Sequence, residues 1–334
     1  MALRAGLIVL LTLAITTVTL AASAEGNRLP HDSIIISCPD ELTPENGVVS
    51  GTGVAGDPYV VSGWEITAQA ATGIRIQDVS VHVLIKDCRF IGSRRHGIGI
   101  VLSKSGNVRV EDCTFDDLRS GVFIYRSAGA HVEGNTYSNC TRGIEGTESS
   151  GVRIVGNTVL AAAEHGIFLW RCHDASLASN SVADGRNGIY LDSCHRDDLR
   201  GNDVADMAHG MFLWDCFDCS ITENRIRDCE LGLAIVHTSE GNRIFHNTFL
   251  DNNRSATCDE AINQWDGGYP AGGNFWSGEP RTDLHSGEDQ DRPGSDGICD
   301  IPMEIPFNNV DRYPLVDQPV AKEEDQIQDT RRSN

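Results

Sequence analysis

Apolar residues return along this chain at a fixed distance. From residue 73 a column of glycines reads Gly73, Gly97, Gly121, Gly143, Gly166, Gly188, Gly210 and Gly232, at spacings of 22 to 24 residues. The position after each glycine holds Ile74, Ile98, Val122, Ile144, Ile167, Ile189, Met211 and Leu233. Two positions further stand Ile76, Ile100, Ile124, Gly146, Leu169, Leu191, Leu213 and Ile235. This alternation is that of a strand with one buried face. A second column is Asn135, Asn157, Asn180, Asn202, Asn224 and Asn247, with Cys88 and Cys113 in the same slot earlier. Apolar residues lie three before it, as in Ile154 and Leu177, and two after it, as in Val159 and Val182.

A unit of this length cannot bury its own apolar side chains. Stacking like over like, at about 4.8 Å per rung, buries them in a continuous column. Glycine and asparagine suit the bends between strands because both tolerate positive φ, and stacked asparagines can bond amide to amide. The pattern predicts an all-β, right-handed parallel β-helix, a single-stranded solenoid of 22-residue rungs. A leucine-rich repeat has a similar period, but its L-x-x-L-x-L pattern is absent. The rung reading GIEGTESS places Gly146 where others bury Leu or Ile, and predicts a bulge or local thinning there.

The ends of the array differ from its middle. Residues 1–24 read as a secretory signal: Arg4, an apolar run from Leu7 to Leu20, then Ala22-Ser23-Ala24. No later run is long and apolar enough to span a bilayer. Residues 25–72 form an N-terminal cap, 73–255 the repeats, 256–316 a C-terminal cap rich in Gly, Asp and aromatics, and 317–334 a disordered tail. The mature chain is expected to be secreted, in the periplasm or at the cell surface.

Charge narrows the partners. With 27 Lys plus Arg against 48 Asp plus Glu, the formal charge is −21, which disfavours nucleic acid and anionic lipid as partners. The 11 cysteines are mostly absorbed by the repeat. Cys172, Cys194 and Cys216 share a slot that other rungs fill with Ser103, Ser127, Ser149 and Thr238, as a ladder of small residues would. Cys258 and Cys299 both lie in the C-terminal cap, where a disulfide is open to them.

Three features carry a family resemblance: the opening phrase GTGVAGDPYVVSGWEI, the G-I-x-hydrophobic and hydrophobic-x-x-N repeats, and the closing segments GNFWSG, SDGICDIPMEI and NVDRYPLV. With these the chain resembles NosD-like β-helix proteins of the CASH or PbH1-repeat class, of the type secreted by archaea and bacteria. That resemblance implies an extracytoplasmic protein linked to copper delivery for nitrous oxide reductase, with an ABC transporter and the metalloenzyme as partners. The wider class also includes polysaccharide lyases, epimerases and glycan-binding proteins, and fold alone does not choose among them.

Four constellations are candidates for function. If residues one and three after each glycine point inward, those two and four after point outward. This gives rows Phe123, Phe168, Tyr190, Phe212 and Tyr125, Trp170, Asp192, Trp214. Such rows suit stacking on the sugar rings of a polysaccharide or cell-surface glycan, with Asp192 and Asp215 bonding hydroxyls, unless the C-terminal segment covers them. Tyr190, Asp192 and His195 carry the residue types for acid–base chemistry in a polysaccharide lyase or uronate epimerase. Cys216, Cys219, His195 and His173 offer soft donors for copper, although buried structural thiols are the simpler reading. Asp289, Asp291, Asp296 and Asp300, set among glycine turns, suit calcium or a solvated acidic turn. A binding role along the aromatic face is the preferred expectation, with copper handling and an enzyme as alternatives.

Overall fold

A computed structural model describes residues 28–69 and 71–319 of the chain. The proposed signal and most of the expected disordered tail lie outside the described residues. The fold is a parallel β-helix of about nine stacked coils with almost no helix; short 3-10 turns occur at Pro39–Glu41 and Pro44–Asn46. Each coil has three strands. In one coil these are Arg153–Val155, Thr158–Leu160 and His165–Trp170. Each pairs in parallel with its counterpart in the next coil: Ile154 with Leu177, Val159 with Val182, and Ile167 with Ile189. Regular stacking starts before Gly73, because Tyr59–Ser62 already pairs with Val83–Lys86. It reaches Phe275–Trp276, which pairs with Thr248 and Phe249.

The register corrects the glycine column at its second rung. Ile74 pairs with Ile100 and Ile76 with Leu102, so the glycine over Gly73 is Gly99, not Gly97. Ile98 pairs with Thr72 and is half-exposed. The extra residues are spent in the turn from Ser93 to His96. Two equally good G-I pairs, Gly97-Ile98 and Gly99-Ile100, follow that turn, and only the pairing distinguishes them.

The structure also corrects why the column residues are glycine, and for the asparagines it bears out the amide ladder but not the positive φ. The column glycines are not at positive φ. They are glycine because a Cβ has no room. On Gly166 it would stand 2.3 Å from Val182 Cγ1 and 2.7 Å from the Gly188 carbonyl oxygen of the next coil. Positive φ falls instead on the residue before each asparagine from Asn135 to Asn247: Gly134, Gly156, Ser179, Gly201, Glu223 and His246. The asparagines are there for their amides. Asn157 Oδ1 accepts from the backbone N–H of Asn135 at 3.1 Å and from its Nδ2 at 3.0 Å, and the pattern repeats through Asn180, Asn202, Asn224, Asn247 and Asn274. All are buried. A backbone N–H at each corner, turned away from the strand ladder, thereby keeps a partner.

The small-residue slot is a second ladder of this kind, and its members also need correcting. They are Ser105, Ser127, Ser149, Cys172, Cys194, Cys216 and Ser239; the flanking Ser103 and Thr238 are not part of it. Ser127 Oγ accepts from the N–H of Ser105 at 3.0 Å, Ser149 Oγ from that of Ser127 at 3.1 Å, and Ser239 Oγ from that of Cys216 at 2.9 Å. Of the bulge or local thinning expected at Gly146, the bulge does not form. Arg142–Thr147 is an uninterrupted strand, and Leu169 of the next coil fills the space, with its Cδ2 2.5 Å from where a Gly146 Cβ would be.

Inside, Phe90, Phe115 and Tyr137 stack with centroids 4.9 and 4.7 Å apart, beside continuous aliphatic columns. The C-terminal segment closes the stack at its last coils. Asn309 Oδ1 accepts from the N–H of Asn263 and from Trp265 Nε1, and Asp311 Oδ2 accepts from the N–H of Asn274 and from Trp276 Nε1. Cys258 and Cys299 are both free thiols, so the disulfide open to them on sequence is not formed.

Candidate functional site

Alternation along the glycine strands sets the site. In His165–Trp170, Ile167 and Leu169 are buried while His165, Phe168 and Trp170 are half-exposed. Stacking then lines up three outward rows. The first is Arg142, His165, Asn187, His209; the second is Phe123, Glu145, Phe168, Tyr190, Phe212; the third is Tyr125, Thr147, Trp170, Asp192, Trp214.

The aromatic rows are in contact. Ring centroids of Phe168 and Tyr190 lie 5.4 Å apart and those of Tyr190 and Phe212 5.1 Å apart, tilted or edge-on. Arg171 lies over the Trp170 ring at 4.5 Å and Arg126 over Tyr125 at 4.9 Å. Trp214 is 38% exposed and stacks on His237 at 4.5 Å. The rows keep these partial exposures with the closing segment in place, so that segment does not seal the face. Asp215, in the bend after Trp214 at φ 53°, accepts a hydrogen bond from Thr238 Oγ1 at 3.3 Å.

The first row sets His165 and His209, the histidines just before their glycines, in line with Arg142 and Asn187. Asn187 Nδ2 donates to the Glu164 carbonyl at 3.3 Å and to His165 Nδ1 at 3.1 Å, and Asn187 Oδ1 accepts from His209 Nδ1 at 2.7 Å. The Glu164 carbonyl can only accept, which fixes the amide orientation and hence both tautomers. His165 has its proton on Nε2; His209 has one on Nδ1. Burial, then the Arg142 charge, pushes His165 down to about 4. Arg142 bonds Glu145 at 2.8 Å and Glu164 at 2.9 Å, with its guanidinium 5.5 Å from the Phe168 ring centre. Glu145 is buried, and its Oε2 has no hydrogen-bond partner among the described residues. Only the register, once the glycine column is fixed, puts these residues in one line. Their sequence signal is a polar residue just before Gly143, Gly166, Gly188 and Gly210.

Of the proposed acid–base group, Tyr190 and Asp192 stand side by side on this face. His195 lies beyond the next bend, stacked on Phe217 at 5.1 Å and edge-on to His173 at 5.0 Å. Burial, then the Asp192 charge, raises the Tyr190 hydroxyl. Asp192 accepts from Ser193 Oγ at 2.8 Å.

Of the soft donors, His173 and His195 are neighbours in one surface column. Cys216 and Cys219 face inward instead, where Cys216 donates to the Trp214 carbonyl at 3.3 Å and Cys219 to the Phe217 carbonyl at 3.6 Å. Burial drives the Cys219 thiol well up, which disfavours a thiolate. The calcium candidates are dispersed: Asp300 Oδ1 accepts from the N–H groups of Leu284 and His285, Asp296 from that of Gly287, and Asp289 and Asp291 are exposed. Among the described residues no three His, Cys, Asp or Glu side chains converge as a metal site would need.

Fold and site together define a stacked β-helix with an aromatic and polar outer face. The profile of the family described as periplasmic copper-binding protein (NosD) matches residues 26–194 and 172–280, and the chain belongs to that family. The four donors proposed for copper do not converge on one ion, since Cys216 and Cys219 face inward while His173 and His195 lie on the surface. Among curated proteins none is significantly similar in sequence. Tailspike protein 2 of the Escherichia coli O157:H7 bacteriophage CAB120 is similar at TM-score 0.52 and 12% identity, over 73% of this chain and 39% of the tailspike. The A-module of a mannuronan C-5 epimerase from Azotobacter vinelandii is similar at TM-score 0.49 and 14% identity, over 70% of this chain and 69% of the module. The surface adhesin PfbA of Streptococcus pneumoniae gives 0.41 and 14%, over 70% and 69%. These likenesses concern the fold alone.

Proposed function

We propose that this chain is an extracytoplasmic β-helix protein that binds polysaccharide along the outward face of its glycine strands. One observation carries the reading: Phe168, Tyr190 and Phe212 form a continuous row, flanked by Trp170 and Trp214, that is left partly open to water. Rings held on a rigid sheet lose little entropy on binding, and their faces suit the C–H faces of sugars. Asp192 and Asp215 supply hydroxyl acceptors at the edge. The family's periplasmic description and the signal-like pattern of residues 1–24 support a place outside the cytoplasm.

A glycan array probed with the full chain tests this, alongside Trp170→Ala and Trp214→Ala. The expected result is polymer binding that falls about tenfold or more in each variant, at unchanged thermal stability. Binding that survives both substitutions would place the ligand elsewhere.

A further inference from the structure

Beside the aromatic rows, where the glycine strands begin, is a depression of about 330 Å³ lined by Ala208, His209, Glu230, Leu231, Asn253 and Arg254. Its polar groups are asymmetric. His209 reaches it from the first row with Nδ1 already committed to Asn187, 2.7 Å away on the preceding coil. In the neutral ring Nε2 is therefore a lone-pair acceptor, the nitrogen His209 has left for this depression. Arg254 stands two coils on in the same row, since His209 pairs with Leu231 and Leu231 with Arg254. Among the described residues its guanidinium makes no ion pair, in a chain of net charge −21. Arg186, exposed at the edge beside His165, has no ion pair among them either.

We propose that this depression takes a hexuronate unit of an anionic polysaccharide, its carboxylate on Arg254 and a ring hydroxyl donating to His209 Nε2. The inference rests on the glycine-strand face being a polymer-binding face, and adds the class of polymer. A guanidinium forks onto a carboxylate with two parallel hydrogen bonds, which a neutral sugar cannot accept in the same way. The Glu164 carbonyl fixes Asn187, and Asn187 fixes His209, so the acceptor is set before any ligand arrives. The neighbouring rings of Phe212 and Trp214 would carry the adjacent sugars.

Calorimetric titration of the full chain with polygalacturonate and with its carboxyl-reduced, neutral derivative tests the inference at two salt concentrations. The acidic polymer should bind at least tenfold more tightly at low salt, with the preference shrinking as salt rises. Arg254→Gln should remove most of the preference and leave affinity for the neutral polymer unchanged; Arg254 is exposed, so the variant should fold. Trp214→Ala should weaken both polymers. Equal affinity for the two polymers, or an Arg254→Gln loss shared by both, would overturn the anionic subsite. Continued Trp214 sensitivity in that case would leave the binding face standing. Binding of neither polymer would count against both readings.

Discussion

Oδ1 of Asn202 accepts two hydrogen bonds from Asn180, one from its backbone N–H at 3.0 Å and one from Nδ2 at 2.9 Å. Asn180 passes the same pair back to Asn157, and its Nδ2 also reaches the Ile154 carbonyl at 2.9 Å. Asn180→Ala therefore orphans the buried Asn157 N–H, while the Asn157 amide keeps the Val132 and Val155 carbonyls. A buried donor left unpaired costs about 1–3 kcal/mol, and a loss of that order is expected in urea denaturation. Asn180→Cys should lose less, because Cys113 occupies the same slot and its thiol reaches the Ile85 carbonyl at 3.9 Å, as Asn180 Nδ2 reaches that of Ile154.

Two glycine substitutions separate crowding from conformation. Gly166→Ala drives a Cβ into Val182 and the Gly188 carbonyl, and should destabilise by about 3 kcal/mol, toward the severe end for overpacking. Gly156→Ala has open space but sits at φ 62°, so it should cost only about 1 kcal/mol. Melting temperatures of the two variants should fall in that order.

Asp197 occupies a corner where later coils place Cys219, Asn242 and Asn263. Its Oδ1 accepts from the Ala175 N–H at 2.8 Å, while Oδ2 is buried without a partner among the described residues. Burial raises its carboxyl to about 7 from 3.8. The protonated form is favoured by folding, so its stabilisation is complete below about pH 4 and is lost as pH climbs through 7. Asp197→Asn keeps the acceptor and removes the charge. It should match the parent at pH 4 and exceed it at pH 8, by at most about 4 kcal/mol at 1.4 per pKa unit. Denaturation midpoints at the two pH values measure this; a gain at pH 4 as large as that at pH 8 would refute it.

His165 should titrate well below an ordinary histidine by NMR, near 4. Its neutral form is the folded one, so the associated stability is present above about 6.5 and is lost as pH falls toward 4. Arg142→Gln removes the second cause of that depression and should move the midpoint up, while burial still holds it below 6.5. A midpoint unchanged by Arg142→Gln would show that burial alone sets it.

The sequence by itself determined the solenoid. A repeat with alternating apolar positions leaves no other way to bury Ile167, Leu169 and Val182 than stacking coil on coil. It also put Phe168, Tyr190 and Phe212 in one outward row, because strand alternation is a local rule. What it could not decide was register where two patterns competed, as at Gly97 and Gly99, since only pairing with Ile74 and Ile76 ranks them. Nor could it tell why glycine stands in its column. The reason is the carbonyl of the next coil, a contact between residues 22 apart. The row of Arg142, His165, Asn187 and His209 shows the same limit. Two histidines mark it in the sequence, but His165, Asn187 and His209 become one hydrogen-bonded line only when the coils stack within hydrogen-bond reach of one another.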